Sequence, residues 1–236
     1  MSRSTPIAPP GASQPVEAYR QAVRQEMPQW LGPCLDAALE RLERARQGAL
    51  QPGERTTLAE VLAVLQSQRQ AWTQRLVAAV MQAVDDDLVE AVPATPHDEP
   101  ELALSLLDED TIDEDIVLSR LVQVAELEAD AALRELAARC SRMRGLASVS
   151  PDANPMRPAV VAGALRRAVG DAGLKAPQRV LLLRELGIAI GSRLAAVYAA
   201  QLELLTGWGV EPTRFRLRLS LGDFGAPPST PAPAAP

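Results

Sequence analysis

Histidine occurs once in the 236 residues, cysteine twice, and aromatic side chains make up only 3% of the chain. Each scarcity excludes a class of function. A Ser-His-Asp or Cys-His device would have to be built on His97, which lies in the proline-rich stretch PATPHDEP. A zinc site there would have Asp98 and Glu99 but no second histidine and no cysteine. His97 therefore reads as a linker residue. Cys34 and Cys140 are too few and too far apart for a disulfide framework and read as free, buried thiols of a reducing compartment. No uncharged apolar run approaches the roughly 18 residues of a membrane span. The richest stretch, LLLRELGIAIGSRLAAVYAAQLELL, is interrupted by Arg184, Glu185 and Arg193. The opening MSRSTPIAPPGASQP lacks the apolar region of an export signal, so residues 1–15 are expected to be a disordered lead-in to a cytoplasmic protein. No glycine-rich phosphate loop occurs. The acidic runs DDD (85–87) and DEDTIDED (108–115) lack the central glycine and late glutamate of a calcium loop. Helix-end charge and cap chemistry account for both runs, and neither a metal nor a cofactor is expected.

What the chain does have is leucine, alanine, valine and arginine. With hydrophobic residues at 47% and almost no aromatics, the core must be aliphatic. Alanine and leucine are the strongest helix formers, and Arg, Gln and Glu suit exposed helical faces. The fold class expected is mainly α, a bundle of long antiparallel helices. Charge is segregated along it: residues 1–84 carry a net +2, residues 85–135 a net −15 and residues 136–218 a net +8. Such neighbouring blocks invite pairing within the fold or between copies. The acidic total of −6 argues against general nucleic-acid binding.

Helical periodicity begins at about residue 16. Pro28 and Pro33 should break or kink the first helical zone, 16–47, near QWLGP. After the turn QGALQPGER, Leu58, Leu62, Leu65, Trp72, Leu76, Val80 and Val84 form one stripe, which predicts a second helix over 57–91 and an α-hairpin across 16–91. VPATPHDEP (92–100) reads as a linker. Thr111 and Glu114 have capping-box spacing, so a long helix should run over 112–144. Its buried face would be Leu118, Val122, Ala125, Ala129, Leu133, Leu136, Cys140 and Met143, and Gly145 would end it. In DANPMRPAVV, Pro155 keeps Asn154 out of the helical region, and Pro158 opens a new helix at the position where its missing N–H costs nothing. The stretch is a stiff corner, followed by helices over 158–171 and 176–206.

These pieces resemble the bacterial family known as domain of unknown function 1631. The resemblance rests on LSLLDEDTIDEDIVLSRLV (104–122), LRELAARCSRMRG (133–145), NPMRPAVVAGALRRAV (154–169) and RLAAVYAAQLELLTGWGVEP (193–212). The family pattern of an Asn-Pro-x-x-Pro corner, a helix, and a Tyr-bearing final helix ending in Gly-Val-x-Pro falls on Asn154, Pro155, Pro158, Tyr198, Gly209, Val210 and Pro212. It covers mainly residues 101–212, and the helices before residue 92 match only loosely. Arg157 stands where relatives generally carry a small capping residue. The resemblance implies no catalytic residues.

Two further features bear on function. Gly187 and Gly191, continued by Ala195 and Ala199, form a small-residue stripe that lets another backbone come close, most simply inside the monomer. In TRFRLRLSL (213–221), Phe215, Leu217, Leu219 and Leu221 alternate with Arg214, Arg216, Arg218 and Ser220, a strand pattern with one apolar and one cationic face. Its partner could be ELALSLL (101–107), forming a two-stranded ribbon, or an edge in another molecule. The bland reading is a tail, and residues 222–236 are expected to be disordered. The helical module would then span 101–221. The function expected is a non-enzymatic interaction or regulatory scaffold with a protein partner or a second copy. Its working surfaces would be Asp108, Asp110 and Glu114 on one side and Arg214, Phe215, Arg216, Leu217 and Arg218 on the other. Two alternatives stand. Arg214 and Arg218 match the first half of a cyclic-dinucleotide-binding PilZ signature whose second half is missing, and the strand of Arg214, Arg216 and Arg218 would make a nucleotide sensor. Asp108, Asp110 and Glu114 could instead serve a hydrolase or transferase.

Overall fold

Helix formers dominate every long segment, and the computed structural model, which describes residues 15–89 and 109–213, is built from six α-helices with no strand among those residues. They are α1 (Pro15–Gly48), α2 (Pro52–Ser67), α3 (Arg69–Val89), α4 (Glu109–Met143), α5 (Pro158–Gly170) and α6 (Ala176–Gly207), with a 3-10 turn at Pro151–Ala153. α6 lies against α4 along most of its length and also against α1, while α3 packs chiefly on α5. One continuous hydrophobic core results, mostly aliphatic with a few buried aromatic rings. It joins Tyr19, Leu31 and Leu35 of α1, Leu65 and Trp72 of α2 and α3, Leu136 of α4, Leu165 of α5 and Tyr198 of α6. No described helix is long and apolar enough to cross a membrane.

Three helix boundaries differ from the sequence reading, each for a physical reason. α1 runs unbroken through Pro28 and Pro33. Both prolines are exposed, as are Arg24 and Gln29, whose carbonyls lose their helical donors. Those carbonyls belong to the solvent side, so the missing bonds cost little, while Met27, Trp30, Leu31, Cys34 and Leu35 hold the opposite side in the core. The helix expected over 57–91 is two helices, parted at Gln68 (φ −125°, ψ 29°). All seven residues of its stripe are nonetheless buried. The break redirects the apolar face, so α2 packs on α1 and α6, and α3 on α1 and α5. α4 is already helical at Glu109, so Thr111 lies inside its first turn and does not cap it. The Glu114 carboxylate is turned to Arg179 of α6, 2.7 Å away. α4 also carries one non-helical residue, Ala129 (φ −118°, ψ 16°), where its axis kinks.

The C-terminal ends follow simple rules. At Gly145 (φ 72°), Gly145 N–H donates to the Arg142 carbonyl and Leu146 N–H to that of Ser141. The same pair of bonds recurs at Gly209 (φ 70°), to Thr206 and Leu205. This is the Schellman ending, in which a left-handed glycine lets two otherwise orphaned carbonyls find donors. The chain beyond it returns to α4: Arg139 donates to the Val210 carbonyl (2.6 Å) and Thr213 N–H to that of Ala138 (3.0 Å). Gly187 and Gly191 face Leu121 of α4; a Cβ on Gly191 would stand 3.2 Å from Leu121 Cδ1. The small-residue stripe therefore sets the α4–α6 spacing. The proposed ribbon of 101–107 with 213–221 lies outside the described residues, save for Thr213.

Both thiols are free and buried. Burial pushes Cys34 up from 9.0 to about 11, against a small opposing pull from Arg193, and Cys140 up to about 12. Burial also raises the Tyr19 and Tyr198 phenols. In each case the folded chain holds its proton more tightly than the unfolded chain. Stability is then fully present below the unfolded value near 9.0 and is lost as pH rises through 11 and 12. Urea midpoints should be level through neutral pH and fall steadily above about pH 9. A thiol reagent should label neither cysteine until the protein is unfolded. Rapid labelling of the native chain would contradict this packing.

Candidate functional site

The acidic run at 85–87 occupies the C-terminal end of α3, where the helix macrodipole is negative and disfavours carboxylates. Helix-end charge, the explanation suggested by sequence, therefore fails for this run. Each aspartate instead meets arginines from another element. Asp85 accepts from Arg20 of α1 at 2.6 Å and lies 3.5 Å from Arg24. Asp86 lies 3.5 Å from Arg167 of α5. Asp87 is the most enclosed, with 11% of its side chain exposed. One of its oxygens accepts from Arg144 at 3.0 Å and the other from Arg157. Arg144 also donates to the Asp87 backbone carbonyl at 2.8 Å. Three consecutive carboxylates thus clasp α1, α5, the corner and the residue that follows α4 onto the end of α3.

The corner itself is held from both sides. Asn154 is extended (φ −79°, ψ 109°), as Pro155 requires, and its Oδ1 accepts from Met156 N–H at 3.0 Å. Met156 is fully buried, and its carbonyl accepts from the Tyr198 hydroxyl at 3.0 Å. Pro158 opens α5, with Arg157 at the N-cap position making no side-chain cap bond. Its guanidinium instead reaches Asp87 and the carbonyls of Asp152 and Asn154, which accounts for a long cation where a small cap would serve. Part of the segregated charge of the sequence is thereby paired inside the fold. Asp87 pairs with Arg144 and Arg157, Asp115 with Arg166, and Glu114 with Arg179.

Of the residues proposed as working surfaces, Glu114 is buried against Arg179. Asp110 lies in the helical first turn of α4, its side chain outside the described residues. Asp108, Arg214, Phe215, Arg216, Leu217 and Arg218 also lie outside them, and with them the nucleotide-sensing reading. Asn154, Pro155, Pro158 and Tyr198 come together at the corner. Gly187 and Gly191 lie in the α4–α6 seam, and Gly209 and Pro212 lie in the turn that follows α6.

Sequence reasoning missed a surface on the outer side of that seam. A groove of about 420 Å³ runs between α4 and α6, lined by Ile116, Val117, Arg120, Val124 and Glu128 from α4 and by Ile188 from α6. Ile116 and Ile188 are 61% and 46% exposed, too much for core residues. The signal was present: Ile112, Ile116, Val124 and Leu127 recur at helical spacing on α4, out of phase with its buried face. A second hollow, of about 590 Å³, lies between the kinked part of α4 and the corner and is lined by Glu126, Leu133, Asn154 and Pro158 among others. Among the described residues no cluster of three or more His, Cys, Asp or Glu side chains is placed to hold a metal. The groove between α4 and α6 offers apolar contact with charged edges.

No curated protein and no solved structure matches the chain. A family model does match, over residues 12–209, so the helices before residue 92 that resembled the family only loosely are part of the matched unit together with the corner and the Tyr-bearing helix. With that match over most of its length, the chain belongs to the family described as protein of unknown function DUF1631, N-terminal domain.

Proposed function

We propose that this chain acts by docking to protein, as a non-enzymatic interaction or regulatory scaffold module of the bacterial cytoplasm. The observation that carries the reading is the α4–α6 groove, with Ile116 and Ile188 held in solvent on two rigidly packed helices. Exposed apolar side chains that share a groove rimmed by charge are the usual anatomy of a protein-binding surface. Of the acidic start of α4, Glu114 and Asp115 are engaged by Arg179 and Arg166.

Affinity capture from extract tests the reading when it is run with the wild-type chain beside an Ile116→Asp/Ile188→Asp variant. Both side chains are exposed, so the variant should keep its helicity and melting temperature. At least one protein should be retained by the wild type and lost by the variant, with binding weakened by about tenfold or more, as for hydrophobic anchors at the centre of an interface. If every captured protein binds both forms equally, the groove is not the docking face and the reading is withdrawn.

A further inference from the structure

α4 is apolar on two sides. The inner side, with Leu118, Leu121, Ala125 and Leu136, is spent on the core. The outer side shows Ile112, Ile116, Val124 and Leu127, exposed by 42, 61, 38 and 83%. Ile116 and Val124 of this stripe line the groove beside two charged residues of α4, Arg120 and Glu128, and one of α6, Arg184. Arg120 and Glu128 are exposed, and neither has an ion-pair partner among the described residues. Arg184, on the α6 side, is different, because its Nε already donates to Glu185 at 3.0 Å. Arg120 and Glu128 therefore stand as two opposite, unused charges on one helical face.

Their spacing is the informative point. Val124 lies four residues from each, so the two charges sit about 6 Å to either side of it along the helix axis. A two-fold axis through Val124 that sets a second α4 antiparallel to the first brings each Arg120 opposite the Glu128 of the other copy. Two equivalent ion pairs form at once, and the two Val124 side chains meet between them. A parallel arrangement would set arginine on arginine and glutamate on glutamate. We infer that the outer face of α4 is a homodimer interface, in which a second copy of this chain covers the groove in antiparallel register about Val124. The inference rests on the docking reading above and names its occupant. A closed two-fold contact of this kind needs one self-complementary patch, and this face has one. The apolar stripe supplies the attraction, and the charges fix register and direction. Two helices bury less than a standard interface, so the contact belongs with the weaker, concentration-dependent ones and is read at chain concentrations on the order of micromolar.

The test is sedimentation of the full chain across that concentration range. Wild type should pass from monomer to dimer. Arg120→Glu alone, or Glu128→Arg alone, sets like charges together twice and should weaken self-association by about tenfold or more. The two single variants mixed in equal amounts should pair with each other, since one supplies two carboxylates and the other two guanidinium groups. The double variant R120E/E128R should dimerise to within about threefold of wild type. Both positions are exposed, so all variants should melt like the wild type. A wild type that stays monomeric, single variants that dimerise normally, or a mixture that fails to pair would each overturn the dimer. If the wild type is monomeric yet a different protein is still lost from the Ile116→Asp/Ile188→Asp variant, the docking reading stands and only the second copy is wrong. If that capture fails as well, both fall.

Discussion

Replacing Asp87 by alanine will lower the unfolding free energy by about 3–5 kcal/mol, the cost of removing one partner from an enclosed ion pair. Arg144 retains only 8% side-chain exposure and Asp87 only 11%, so water has little room to take over from the lost carboxylate. The loss falls on two guanidinium groups at once, because Arg157 shares the same carboxylate from the corner. The urea midpoint should drop with little change in slope. The melting temperature should fall by roughly 6–20 °C for a chain of this size. Asp87→Asn, which keeps the shape and one acceptor, should lose less. Added salt should alter the wild-type value little, since an enclosed pair is poorly screened. A loss under about 1 kcal/mol would place Asp87 with ordinary surface pairs.

The second large effect is at Tyr198. Its ring is fully buried, and its hydroxyl holds the Met156 carbonyl at 3.0 Å. Tyr198→Phe keeps the ring and leaves that carbonyl without its donor, at a cost of about 1–3 kcal/mol. Tyr198→Ala also opens a cavity and should cost about 3–5 kcal/mol or more. The difference between the two separates packing from hydrogen bonding at the corner. Equal losses would mean that the hydroxyl does all the anchoring; no loss in Tyr198→Phe would mean that it does none. The phenylalanine variant should also make Asn154 and Met156 amides exchange faster while α1 and α6 amides stay protected.

Much of the helical layout was legible because burial repeats with the helix period. Leu58, Leu65, Trp72 and Val84 are buried together although the helix expected to carry them is broken at Gln68. No glycine or proline marks that break, and its cause is the direction in which α2 and α3 must face their separate partners, a tertiary demand that local sequence does not encode. Pro28 and Pro33 misled in the other direction, since the cost of a helical proline depends on which side of the helix its orphaned carbonyl lies. Glu114 has capping-box spacing, but the partner it meets, Arg179, is 65 residues away. The clasp was readable in part. Three aspartates at the C-terminal end of a helix oppose the macrodipole and so call for cations from elsewhere, though which cations could not be told. The groove on α4 was also in the sequence, as a second apolar phase masked by the stronger inner stripe.

The hydroxyl of Tyr19 on α1 donates to Gln201 of α6 across 182 residues. At ordinary rates of synthesis, roughly 5–20 residues per second, the first helix leaves the ribosome about 10–35 s before its mate exists. Through that interval Met27, Leu31 and Leu35 have only the hairpin mates α2 and α3 to shelter them. The nascent chain should therefore be most vulnerable to chaperones and proteases at its oldest end, and truncation just before α6 should yield an aggregating species and not a smaller folded unit.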